Sequence, residues 1–344
     1  MRWCLIFAVT LGLSVLDAVS FAQQPGGRGQ GEAQRLASAR SASGYLEHRD
    51  AGYFATTGVV RFQLIAGRLQ LDAPRHRKGS QSRDQDGIYE SITVTAQRGI
   101  PSVHYVCQTE VQHLTLNVEN AKSLRVESFL PATGERAVLE QPAQGPLTWT
   151  IRRSDLDDVC SGATLLHLHQ CDAVGLDLHC GGLFLRLLQE QSLEQLVSET
   201  TVAIMSQLTD ADAFAADRDD VLDCVARLRS PRRSVRLAAS QQLLKWGTPI
   251  IPIVRSIPER DLAPEQHDRL QCVLRQLTPV ESDTPRSLAT MLINDQDHWQ
   301  SLAPQLSDSQ LLSANQHLSR VGLAALPVSN QAIEQIAQGA TRRK

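Results

Sequence analysis

Residues 114–127 read Leu-Thr-Leu-Asn-Val-Glu-Asn-Ala-Lys-Ser-Leu-Arg-Val-Glu. Leu114, Leu116 and Val118 alternate with Thr115 and Asn117, and Leu124 and Val126 alternate with Arg125 and Glu127. Successive strand side chains point to opposite faces, so this alternation describes two strands, each with one apolar face. Glu119-Asn120-Ala121-Lys122 between them has turn composition. The same period extends outward. Ile92, Val94 and Ala96 alternate with threonines, as do Leu147, Trp149 and Ile151, and Pro131–Gly134 and Gln144–Pro146 supply further turns. Val59–Ile65, Arg68–Leu71 and His104–Val111 bring the set to about six or seven strands, enough for an antiparallel sandwich or a curled sheet. An antiparallel β domain is therefore expected over 44–153, with the polar stretch Pro74–Gly87 as a loop disordered at its tip.

Beyond it the pattern changes. Ser154-Asp155-Leu156-Asp157 has the composition of a helix start, a hydroxyl followed by an acid three residues on. A mixed connecting segment with helices is expected over 154–216, and from Leu183 onward the apolar spacing is helical. An internal repeat lies in this half. Ala239-Ser240-Gln241-Gln242-Leu243-Leu244-Lys245-Trp246-Gly247 aligns with Ala314-Asn315-Gln316-His317-Leu318-Ser319-Arg320-Val321-Gly322, and Pro252 and Pro327 follow at equal distance. The first copy adds Val235 and Arg236, so that it reads V-R-x-x-A-x-x-x-L-x-x-x-G. It resembles the HEAT family of helical repeats; the second copy departs from the pattern, with Gln310 and Leu311 in place of Val-Arg. Val235, Ala239 and Leu243 share one helix stripe, and Gly247 is expected to end the helix in a left-handed cap. The fold expected from the whole chain is α+β: an amino-terminal antiparallel β domain, then a short HEAT-like helical domain over 217–344.

The amino terminus places Arg2 before an apolar run from Trp3 to Leu16, and Ser20-Phe21-Ala22 before Gln23 forms a signal-peptidase site. The run is short for a bilayer, which takes roughly 20 residues. A cleaved signal over 1–22 and an exported protein, periplasmic or secreted, are expected, with no membrane insertion after cleavage. Residues 23–43 are rich in Gly, Gln, Ser and Arg and read as a flexible leader. A net charge of −3 gives no global attraction to nucleic acid.

The segment with the most chemistry is His167-Leu168-His169-Gln170-Cys171, followed by His179-Cys180. On a strand, His167, His169 and Cys171 would face one side, and His179 or Cys180 could complete a tetrahedral zinc or copper site. A local disulfide between two of Cys160, Cys171 and Cys180 is the alternative in an oxidising compartment. Arg75-His76-Arg77-Lys78, with Arg83 nearby, reads as a solvated basic loop. Asp210, Asp212, Asp217, Asp219 and Asp220 lack calcium-loop spacing, and the last three suit a helix start. No nucleophile elbow, phosphate loop, H-E-x-x-H or dinucleotide fingerprint occurs. The resemblance to stacked helical repeats implies a protein-binding surface on the concave face of 217–330, with Arg232, Arg233 and Arg236 as exposed candidates. The expected function is therefore an exported, non-enzymatic binding or scaffold protein with a protein partner and no resident cofactor. A zinc- or copper-binding envelope protein and an envelope hydrolase are the alternatives.

Overall fold

The computed structural model describes residues 52–54, 58–72, 78–153, 156–208, 217–278 and 281–327. The expected signal and leader, Arg75–Arg77, and Asp210 and Asp212 lie outside those residues. Strands β1 (Phe62–Ile65) and β2 (Arg68–Leu71) form a separate hairpin. Then β3 (Gly79–Gln85), β4 (Ile88–Gln97), β5 (Ile100–Gln108), β6 (His113–Glu119), β7 (Ser123–Leu130), β8 (Glu135–Gln141), β9 (Leu147–Arg153) and β10 (Leu156–Gly162) follow. These eight make one antiparallel meander in which every strand pairs with its chain neighbour. The expected alternation is what builds it. Leu116 of β6 sits opposite Tyr105 of β5 on one side and Val126 of β7 on the other, while Trp149 of β9 faces Leu139 of β8. All five are buried, so the sheet has a single apolar face. All eight strands lie in one sheet, so the β half is not a two-sheet sandwich.

Helices α1 (Leu165–Cys171), α2 (Ala173–Leu187) and α3 (Leu193–Gln207) come next, then α4 (Arg218–Arg227), α5 (Arg233–Trp246) and α6 (Ile251–Arg255). The chain continues with α7 (Pro264–Leu277), α8 (Pro285–Leu292), α9 (Gln296–Leu302) and α10 (Asp308–Val321). Asp217 caps α4 and Asp219 and Asp220 lie in its first turn, where acids complement the helix dipole. Helix α5 buries Ala239 and Leu243. It ends at Gly247, whose φ is +76° but whose ψ of −156° lies outside the expected left-handed basin, which Gly322 occupies after α10. The helical half folds back on the rest of the chain: α8 packs on α3, α9 packs on α1, and Asp283 N–H donates to Leu64 O at 2.6 Å. One hydrophobic core therefore runs through sheet and helices. No helix among the described residues is long and apolar enough to cross a membrane.

Three local expectations are corrected. Leu156–Gly162 is strand β10, not a helix start. Its acids serve the hairpin: Arg152 grips Asp157 at 2.7 and 2.8 Å, and Arg153 reaches Asp158 at 3.4 Å. Leu165–Cys171 is helix, not strand, because Thr164 caps it and Leu165, Leu166 and Leu168 are all buried in helical register. Gly79–Gln85 is not loop but the edge strand β3, exposed along its whole length and held by pairing to β4.

The turn between β6 and β7 carries strain. Asn120 and Ala121 have φ of +52° and +62°, the two left-handed positions of a type I′ hairpin turn. Ala121 is held there from both sides, its N–H donating to Pro101 O and its carbonyl accepting from Leu71 N–H. A left-handed alanine costs about 1–2 kcal/mol, and glycine gives back part of that relief as chain entropy. Ala121→Gly is therefore expected to stabilise the protein by about 0.5–1 kcal/mol in urea denaturation; a loss of stability would show that the turn is not strained.

Candidate functional site

The His/Cys residues do not converge. His167 and His169 lie on α1 with Cys171, whose sulfur is bonded to Cys160 of β10, with the two Cα atoms 6.3 Å apart. The disulfide takes Cys171 out of the candidate ligand set. His169 is half-buried, and burial holds its pKa below the usual histidine range, with Glu194 opposing. His179 and Cys180 lie on α2, the latter a free buried cysteine whose thiol burial pushes far upward. Among the described residues, no group of three or more His, Cys, Asp and Glu is arranged to hold a metal ion.

His179 and His167 each sit in a buried polar cluster. His179 is 1% exposed; its Nδ1 lies 3.0 Å from Ser128 Oγ and its Nε2 3.6 Å from Glu135 Oε1. Gln112 Nε2 donates both to Ser128 Oγ and to the carbonyl of His179. A serine, a histidine and a glutamate in a row suggest a nucleophile relay, but Ser128 is only 3% exposed, so its hydroxyl offers no surface to a substrate. His167 joins a second cluster that local sequence did not reveal. Its Nδ1 shares a 2.8 Å hydrogen bond with Thr164 Oγ1, its Nε2 lies 3.4 Å from Asp295 Oδ2, and its ring meets that of His298 edge to face at 5.5 Å. Asp295 caps α9, accepting from the N–H groups of Asp297 and His298. This cluster fastens α9 to α1.

The chemistry left facing solvent is elsewhere. A cavity of about 200 Å³ opens where the β1–β2 hairpin, the sheet and the helices meet. Arg68, Lys122, Arg255 and Arg275 line it together with Gln70 and Thr278, and no Asp or Glu among the described residues does. Each cation arrives from a different element. Arg68 follows the tight turn Ala66-Gly67, where Gly67 has φ +71° and a Cβ would meet the Thr164 Cβ at 2.5 Å. Gly67 N–H donates to Asp283 at 2.6 Å, fixing the turn against the helical half. Lys122 ends the strained β6–β7 turn, Arg255 ends α6 and Arg275 lies in the last turn of α7.

Two of the four are buried charges. Arg68 is 3% exposed, and all three of its nitrogens donate to backbone carbonyls: Nε to Ala163, Nη1 to Pro142 and Nη2 to Gly145. Arg255 Nη1 donates to Ala66 O at 3.0 Å and more weakly to Ile65 O. Among the described residues neither makes an ion pair; burial is costly for such a charge, and it shows in their acidity. Burial, and then the charge of Arg255, holds Arg68 well below the usual guanidinium range. Burial brings Arg255 down to about 10, opposed by Asp283. Lys122 is lowered by partial burial and then by Arg255 and Arg275. The four cations thus repel one another around a shared space, in a chain whose net charge is −3. A missed signal did exist: Arg68 and Arg255 are lone charges inside the apolar runs Leu64–Leu69 and Ile250–Ile257. No known protein family, curated protein or solved structure matches the chain.

Proposed function

We propose that this chain is an exported, non-catalytic binding protein and that the basic cavity holds its anionic ligand. The observation that carries the proposal is the convergence of four cations on one cavity with no carboxylate among the described residues of its lining. Buried guanidiniums without counter-ions are unfavourable, and a bound anion would supply the missing charge. The lining offers cations, amides and a hydroxyl, a set suited to holding an anion. The expected secretory signal supports a role outside the cytoplasm. A second site is favoured by Leu237, which is 54% exposed on α5 and lines a groove toward Val273 of α7; there the helical surface would take a protein partner.

Lys122 and Arg275 are exposed, so they can be changed without emptying the core. Lys122→Ala/Arg275→Ala is expected to retain the melting temperature of the parent within about 2 °C in ligand-free buffer. It is expected to bind small anions at least tenfold more weakly in calorimetric titration, a loss of about 1.4 kcal/mol. Equal affinity in the variant and the parent would remove the cavity from consideration.

A further inference from the structure

We propose that the ligand group is a doubly charged tetrahedral oxyanion, a phosphoryl group or the sulfate ion, held by Lys122, Arg255 and Arg275 in the field of Arg68. The inference rests on the anion-binding reading and narrows it by charge, direction and donor supply.

Charge comes first. Four cations line the cavity, and the carboxylate of Asp283 acts on Arg255 from outside the lining. Asp283 is itself a reluctant anion: burial raises it to about 6, against the N–H groups of Gly67 and Ala66 and the charge of Arg255. A monoanion would leave most of the positive charge uncompensated, whereas a dianion comes closer to matching it.

Direction separates the oxyanions. A carboxylate presents two oxygens in one plane and suits a single guanidinium fork. Here the donating cations come from the β6–β7 turn, α6 and α7, and Gln70 of β2 adds an amide, so donors approach from the sheet, the helical layer and the hairpin. Donors spread in this way match a group whose oxygens point to the corners of a tetrahedron.

Donor supply assigns the roles. Arg68 gives one N–H from each of its three nitrogens to a carbonyl, which fixes the guanidinium and leaves it to contribute chiefly a field. Arg255 is held by Nη1 alone among the described residues, which leaves Nη2 and Nε for a ligand. Among the described residues, Lys122 donates its ammonium to none, and Arg275 is anchored only to its own helix, by Gln271 O and Cys272 Sγ. Gln70 and Thr278 add uncharged donors to the lining. The volume of about 200 Å³ exceeds the roughly 30 Å³ share of one water several-fold, room for the oxyanion and a short attached chain.

The test is calorimetric titration of the full chain at pH 7.5 and fixed ionic strength with inorganic phosphate, sulfate, malonate and acetate. Phosphate and sulfate are expected to saturate at one per chain, malonate and acetate to bind at least tenfold more weakly, and Lys122→Ala/Arg275→Ala to weaken phosphate at least tenfold. Malonate or acetate binding as tightly as phosphate would overturn the tetrahedral assignment while leaving an anion site in place. No saturable binding of any of the four, or phosphate binding unchanged in the double variant, would overturn the site and the proposed function with it.

Discussion

Arg186→Met is expected to destabilise the protein by about 3–5 kcal/mol, because it strands a buried carboxylate. Arg186 reaches from α2 to the apolar face of the sheet, where Nη1 lies 2.7 Å from Glu90 Oε1 and 2.8 Å from the Tyr105 hydroxyl. Tyr105 donates in turn to Glu90 at 2.8 Å, which closes a three-membered ring of polar groups. None of the three is more than 3% exposed. The guanidinium also lies 5.4 Å from the Phe54 ring centroid and 5.7 Å from that of Tyr105, within cation–π range. Burial alone would lower the pKa of Arg186, but Tyr105 and Glu90 raise it, so the folded protein holds this charge firmly. Removing the whole ring should cost far less than removing its cation. Glu90→Met/Tyr105→Phe/Arg186→Met is expected to recover all but about 1–2 kcal/mol, since apolar groups of similar volume can replace a buried ion pair at little cost. Urea denaturation of the single and triple variants decides the matter. A single variant within about 1 kcal/mol of the parent would show that the ring carries little stability.

Acidification is expected to destabilise the protein through His298. Burial, followed by the charge of His167, lowers its pKa to about 3, against an ordinary value of 6.5. A group depressed in this way binds protons more weakly when folded than when unfolded. Its contribution is complete above pH 6.5 and is lost as pH falls toward 3, with a slope of up to about 1.4 kcal/mol per pH unit. Asp295 acts in the same direction: burial would raise its pKa, but the charge and hydrogen bond of His167 pull it below the usual range. Asp283 acts oppositely. Its folded value of about 6 exceeds the unfolded 3.8, so its contribution is complete below 3.8 and is lost as pH rises through 6. The three overlap in the parent, and a comparison isolates His298. Between pH 6.5 and 5 the stability of His298→Gln is expected to fall by about 1.6 kcal/mol less than that of the parent. Parallel curves would show that His298 titrates normally in the folded protein.

The sheet was legible wherever burial alternated. The run around Leu116 and Val126 announced two strands and their turn, and the structure places them at the centre of the meander. Strand β3 was not legible, because it buries nothing and so leaves no apolar pattern. Its one signal was Asp86-Gly87, a two-residue turn pair with φ of +55° and +73° preceding the clear strand β4. Strand β10 was not legible because Asp157 resembles a helix-start acid until pairing with β9 brings Arg152 opposite it. In α1, the spacing of His167, His169 and Cys171 suggests a strand face, while three buried leucines in helical register set the conformation. The candidate site was the least legible part. Arg68, Lys122, Arg255 and Arg275 are distant in sequence, and only the packing of α6 and α7 against the hairpin and the β6–β7 turn brings them to one cavity.

The most direct measurement is a crystal structure of the full chain grown in selenate, a tetrahedral dianion whose selenium can be located by its anomalous scattering. One anomalous peak is expected in the cavity, within hydrogen-bond reach of Lys122, Arg255 and Arg275. A well-ordered cavity without selenium, in crystals that carry selenate elsewhere, would contradict the account.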